Sequence, residues 1–270
     1  MRLRQQLLTK NECYITGRTI KPKGIMVHST GANNPRVARY VPGDDEMGRN
    51  TGGNHWNQLR PGDRQVCVHA FVGKFADGAV GTVQTLPWNI RGWHCASGNK
   101  GSANNTHIGF EICEDGLTDT AYFQAVYQEA VELTAMLCQQ YGLDPLADGV
   151  VICHQEGYRR GVASNHGDVL HWFPKHGKTM DNFRADVARI MKGEDDIVSY
   201  DQFKEYMDQY RQELGAAAPA PWAAPYISKC IDAGIMSEIN GAIDRPGDFL
   251  TRQEAAVMHA LALETGNTAK

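Results

Sequence analysis

The sequence predicts an α/β domain followed by a small helical C-terminal domain. Three observations carry that reading. Short apolar runs end repeatedly in a histidine or enclose a single glutamate, they alternate with segments whose apolar residues return at helical spacing, and the composition turns polar after residue 193. Strands interleaved with helices are the pattern of an α/β layer architecture.

Taken in order, Lys23–Ser29 (KGIMVHS) reads as a buried strand that delivers His28 to its end. Residues 31–62 are rich in Gly, Asn, Pro and charge, and read as loop with at most one short helix. A second strand is expected at Val66–Gly73, with a turn at Ala76-Asp77-Gly78, and a third at Ile108–Cys113, which carries Glu111. Val126, Ala130, Leu133, Leu137 and Tyr141 set a helix over Thr120–Tyr141, with Gly142 as its stop. Val150–Cys153 is a further strand running into His154, and Met180–Lys192 a further helix. The α/β domain thus spans residues 1–193. Residues 194–221 form a linker containing an amphipathic helix, Ser199–Leu214, whose Ser199 and Gln202 match a capping box. Residues 222–270 hold two more helices, Tyr226–Ala233 and Thr251–Leu263; there is no full internal repeat.

With 42% hydrophobic and 21% charged residues and a net charge of −4, the chain reads as globular and lacks the basic character of a nucleic-acid binder. No apolar run is long enough to span a bilayer. The start, MRLRQQLLTKNE, lacks the apolar core of a secretory signal, so synthesis in the cytoplasm is expected, with any extracellular work needing another exit route. Seven cysteines without a CxxC pair read as buried, reduced thiols.

Zinc hydrolysis needs three His, Asp or Cys ligands, an open position and a nearby base. His28 and His154 close strand-like runs, and Asp168 follows in ASNHGDVLHWF. Spacing alone does not select this set, because a lone histidine at a strand end is more often a hydrogen-bonded structural residue.

The strings MVHST around His28, FEIC around Glu111, CHQE at His154 and HGDVLHWF after it resemble the type 2 N-acetylmuramoyl-L-alanine amidases, over roughly residues 20–192. These include phage endolysins and are related to peptidoglycan recognition proteins. The resemblance implies a central mixed β-sheet flanked by helices, Zn2+ held by His28, His154 and Asp168, and cleavage of the amide between N-acetylmuramic acid and L-alanine. It implies Glu111 as general base. It puts His166 where many members carry an oxyanion-stabilising lysine, His69 at a cleft-lining position, and Trp93 and His94 in a loop that meets substrate. One departure is the inserted GYRRGVASN, which lengthens the interval from His154 to Asp168 and leaves His166 and His171 as rivals for the third ligand position.

The tail, residues 221–262, resembles one S-layer homology module, with a Trp-Ala start and a Thr-Arg-x-Glu-x-Ala helix. Peptidoglycan is therefore the expected partner, with a secondary cell-wall polymer expected at the tail and helix Ser199–Leu214 as a homo-oligomer contact. A phage or prophage lysin released to the cell wall fits these features. The rival readings are a non-catalytic peptidoglycan-binding protein of the same fold and a zinc hydrolase of another amide.

Overall fold

The computed structural model describes residues 1–193, 200–216, 218–236, 238–239, 242–243 and 252–267. The chain forms two compact units, residues 1–195 and 196–270.

The first unit is built on six strands: β1 (Leu3–Gln5), β2 (Gly24–Ser29), β3 (Ala70–Lys74), β4 (Val80–Gln84), β5 (His107–Ile112) and β6 (Val151–Cys153). Their order in the sheet is β1-β4-β3-β5-β2-β6, with β3 and β4 antiparallel and the remaining pairs parallel. The sheet is therefore mixed. Four helices accompany it: α1 (Glu12–Thr16), α2 (Thr120–Tyr141), α3 (His154–Arg159) and α4 (Met180–Met191).

Helix α2 matches the expected span end to end. Asp119 caps it by accepting from the Tyr122 N–H, and Gly142 closes it at φ 62°, the left-handed conformation that a residue without Cβ adopts at little cost. Its buried stripe, from Tyr122 through Val126, Ala130 and Leu133 to Leu137, packs on one face of the sheet together with α4.

The two-residue period of the strands explains what lies on the other face. Ile25 and Val27, then Ile108, Phe110 and Ile112, then Val151 and Cys153 point into the helix-covered core. Met26 and Ile152 point the opposite way, into a smaller cluster with Cys95, Ala103 and Ala163. Residues paired in the parallel register share a face, and His28 is paired with Glu111.

The expected second strand is shifted. Pairing with β5 begins at Ala70, whereas Cys67 makes a separate antiparallel bridge with Trp93. His69 sits at the bend between the two. Strand β4 was not expected; it folds back on β3 across the predicted turn, where Gly78 has φ 84°. Edge strand β1 was also not expected. Three residues, all exposed, offer no apolar period to detect.

The second unit contains α5 (Tyr200–Ala216), α6 (Ala224–Asp232), a hairpin of β7 (Glu238–Ile239) and β8 (Ala242–Ile243), and α7 (Arg252–Asn267). Proline in the first turn of α6 fits a position where no backbone donor is needed. The expected boundary at 194–198 and the Ser199 cap lie outside the described residues. Tyr206, Tyr210 and Trp222 are exposed. No helix among the described residues is long and apolar enough to cross a membrane.

His69 is fully buried and supplies a stability test. Its Nδ1 accepts from the Gly109 N–H at 3.0 Å and its Nε2–H donates to the Ile90 carbonyl at 2.8 Å, while burial pushes its pKa down to about 4. The unfolded chain protonates this ring near 6.5, so its contribution is complete above that pH and is lost as pH falls toward 4. The loss amounts to about 3 kcal/mol at most. We expect His69→Gln, which keeps one donor and one acceptor, to show a shallower fall of melting temperature between pH 6.5 and 4 than the parent, measured by circular dichroism. Equal slopes would contradict this role.

Candidate active site

The site lies at the carboxyl ends of the parallel strands β2, β5 and β6, the usual place for ligands in an open α/β sheet. His28 is the fifth residue of β2 and is buried. His154 follows β6 directly as the first residue of α3. Asp168 comes from the loop after α3, and its carbonyl accepts from the Gln155 N–H at 3.3 Å, which ties that loop to the start of the helix.

These three side chains converge. His28 Nδ1 lies 3.0 Å from His154 Nδ1 and 3.1 Å from Asp168 Oδ2, and His154 Nδ1 lies 3.6 Å from the same oxygen. Ligand atoms around a tetrahedral zinc at about 2.0–2.1 Å would be spaced by roughly 3.3 Å. The donor set and its spacing fit such an ion. Burial would raise the Asp168 pKa, but the adjacent His154 and His28 rings outweigh it and hold the carboxyl well below the usual range. Burial also lowers the pKa of His28, favouring the neutral ring a ligand must be.

Behind His28 stands a relay that sets its orientation. His28 Nε2 is 2.9 Å from His94 Nδ1, and His94 Nε2 is 3.3 Å from the His107 carbonyl. Because the carbonyl can only accept, His94 donates from Nε2 and receives at Nδ1, which leaves the His28 proton on Nε2 and its lone pair on Nδ1, facing the cluster. Burial, then the neighbouring His28 and His69 rings, keep His94 neutral by lowering its pKa well below normal. His154 Nε2 lies 3.3 Å from Ser164 Oγ.

Glu111 stands beside His28 on the next strand and lines the same groove. Its Oε2 is buried with no hydrogen-bond partner among the described residues. Burial, reinforced by the charges of Asp168 and Glu114, pushes its pKa well above the ordinary carboxylate value.

The groove holds about 570 Å³ and is walled by Trp56, Arg64, Trp93, His166 and His171 around the cluster. The His166 ring stacks on His154 with centroids 4.8 Å apart. Trp93 lies under the Arg91 guanidinium, 4.9 Å from its ring centre. His94 reaches the groove floor, whereas His69 does not line it, because both its ring nitrogens are taken by backbone groups in the core. His171 stands apart from the three-residue cluster and instead holds the buried Glu114 carboxylate at 2.9 Å. Sequence reasoning missed Trp56 and Arg64. Both sit in a loop without periodicity, where only an aromatic residue amid glycines marks them.

A His, His, Asp donor cluster beside a buried carboxylate, open to a groove at strand ends, is the layout of a hydrolytic site. The N-acetylmuramoyl-L-alanine amidase family model matches residues 18–169, more than half of the chain, and the protein belongs to that family. No curated protein matches the chain. Among solved structures, PlyL is similar over 69% of this chain and 97% of its own, at 22% identity and TM-score 0.48. The Staphylococcus aureus hydrolase AmiA, solved with its ligand, is similar over 71% of this chain and 84% of its own, at 20% identity and TM-score 0.48. A mutant endolysin from Bacillus subtilis is similar over 69% of this chain and 99% of its own, at 24% identity and TM-score 0.44.

Gly109 makes room for the relay: a Cβ there would lie 2.4 Å from the His94 ring. Gly109→Ala should push His94 away from His28, lowering stability by about 1–3 kcal/mol. Loss of such an outer-shell partner should also weaken divalent-cation binding about ten-fold or more. Thermal melts and zinc titration check both; a variant matching the parent in each would contradict the relay.

Proposed function

We propose that this chain is a zinc-dependent peptidoglycan amidase that hydrolyses the bond between the lactyl group of N-acetylmuramic acid and L-alanine. The observation that carries the reading is the convergence of His28, His154 and Asp168, whose ligand atoms lie within 4.8 Å of one another, beside Glu111. Family membership supports the reaction class and the substrate.

Zinc held by His28, His154 and Asp168 would supply Lewis acidity toward the scissile carbonyl and would acidify the attacking water. Glu111 takes a proton from that water and passes it to the departing amine of L-alanine. Its raised affinity for a proton, caused first by burial, suits a group that must carry one between two steps. His166, at the groove mouth, donates a hydrogen bond to the oxygen on which negative charge develops. Trp93 offers a flat face for the sugar, and His94 acts through His28 by fixing its tautomer.

A phage or prophage lysin is the setting we propose, resting on the endolysin-like strings around His28, Glu111 and His154. The Trp-Ala start and the Thr-Arg-x-Glu-x-Ala helix of the tail support attachment to a cell-wall polymer.

Purified protein acting on cell walls should release free amino groups, and mass analysis should find intact glycan separated from stem peptides beginning with L-alanine. Glu111→Gln should keep the parent's melting temperature and lower the rate by at least about 10²-fold. Near-normal turnover would remove Glu111 from this role. Wall binding without any cleavage by the parent would favour a binding protein of the same fold, and products cut elsewhere would favour another amide.

A further inference from the structure

Beside the groove lies a second depression of about 480 Å³, lined by Gly98, Asn99, Lys100, Tyr158, Arg159 and Gly161. It forms where the loop after Trp93 meets the end of α3 and the segment that follows it. Three backbone hydrogen bonds join these stretches: Lys100 N–H to Gly161 O at 2.8 Å, Ala103 N–H to Val162 O at 2.8 Å, and Ser164 N–H to Cys95 O at 2.9 Å. The approach is too close for side chains at two positions. A Cβ on Gly98 would lie 2.3 Å from the Gly161 carbonyl oxygen, and one on Gly161, at φ 78°, would lie 2.2 Å from Asn99 Oδ1. The same two stretches supply Cys95, Ala96 and Ser164 to the wall of the catalytic groove, so both depressions share one rigid wall.

The charge of this depression is one-sided. Lys100 and Arg159 are exposed, and neither has an ion-pair partner among the described residues. The next residue, Arg160, is by contrast engaged by Asp148. No acidic residue lines the depression. Tyr158, Arg159 and Gly161 belong to the stretch GYRRGVASN, which the family resemblance marks as an insertion.

We infer that the inserted segment builds an accessory subsite, in which Lys100 and Arg159 receive a free carboxylate of the substrate's stem peptide. The identity of the ligand rests on the amidase reading: the sugars and the scissile amide are uncharged, and the stem peptide carries the carboxylates. Two cations on a pre-formed wall would recognise such a group by charge-assisted hydrogen bonds, with the flat Arg159 guanidinium suited to a bidentate pair.

The test compares two soluble muropeptides, one with free stem carboxylates and one with those groups amidated, on the full chain and on the double variant Lys100→Met, Arg159→Met. The parent should prefer the free-carboxylate form by about ten-fold in KM, about the discrimination expected from one charge-assisted pair. The variant should lose that preference with kcat and melting temperature unchanged. A parent without preference, or a variant that keeps it, would overturn the subsite. Calorimetric titration of the released stem peptide gives a second readout independent of turnover. If the parent cleaves neither muropeptide, the amidase reading fails, and the subsite is then decided by whether the variant binds the free-carboxylate peptide about ten-fold more weakly or as well as the parent does.

Discussion

The pairing of β2 with β5 is the constraint on which the candidate site depends. In a parallel register, neighbouring residues point to the same side of the sheet, and here His28 faces the same way as Glu111. A slip of one residue would send every side chain of a strand to the opposite face. His28 would then enter the apolar core beneath α2, and Val27 would face the groove. The core itself guards against this slip: Ile25, Val27, Ile108, Phe110 and Ile112 are all fully buried on the helix side, and a slip of β2 would bury His28 there, or a slip of β5 would bury His107 and Glu111, as unpaired polar groups.

Gathering several histidines and carboxylates at one end of a sheet carries a desolvation cost, which the surrounding hydrogen bonds offset. His94 is held between His28 and the His107 carbonyl, and Glu114 is held by His171. His69, below them, is spent on Gly109 and Ile90. One carboxylate oxygen of Glu111 is left without such a partner. An unpaired buried acceptor in a native site is a store of proton affinity. Its place beside the His, His, Asp cluster is what makes it suited to moving protons.

Much of the fold was legible because apolar spacing is a direct record of burial. Helix α2 and strand β5 lie where Val126 to Tyr141 and Ile108 to Cys113 put them, and β2 ends at Ser29 as read. The edges were harder. Strand β1 is exposed, β4 lies across a tight turn, and the start of β3 is displaced by the Cys67 to Trp93 bridge, a tertiary contact that local sequence does not encode. The convergence of His28, His154 and Asp168 could not be read from spacing, since 140 residues separate the first from the last along the chain. The local strings around each of them, matched to a family, supplied what distance along the chain could not. The relay through His94 was not legible at all, because it depends on the space left by Gly109 on a strand that does not adjoin His94 in sequence.

Zinc K-edge absorption on the purified, zinc-loaded chain tests the convergence most directly. Ligation by two imidazole nitrogens and one carboxylate predicts one zinc per chain, with light-atom scatterers at about 2.0–2.2 Å and no sulfur shell. The chain has seven cysteines, none in a disulfide among the described residues, so sulfur is a real competitor for the ion. A sulfur shell at about 2.3 Å, or no stoichiometric zinc, would contradict a His28, His154 and Asp168 centre.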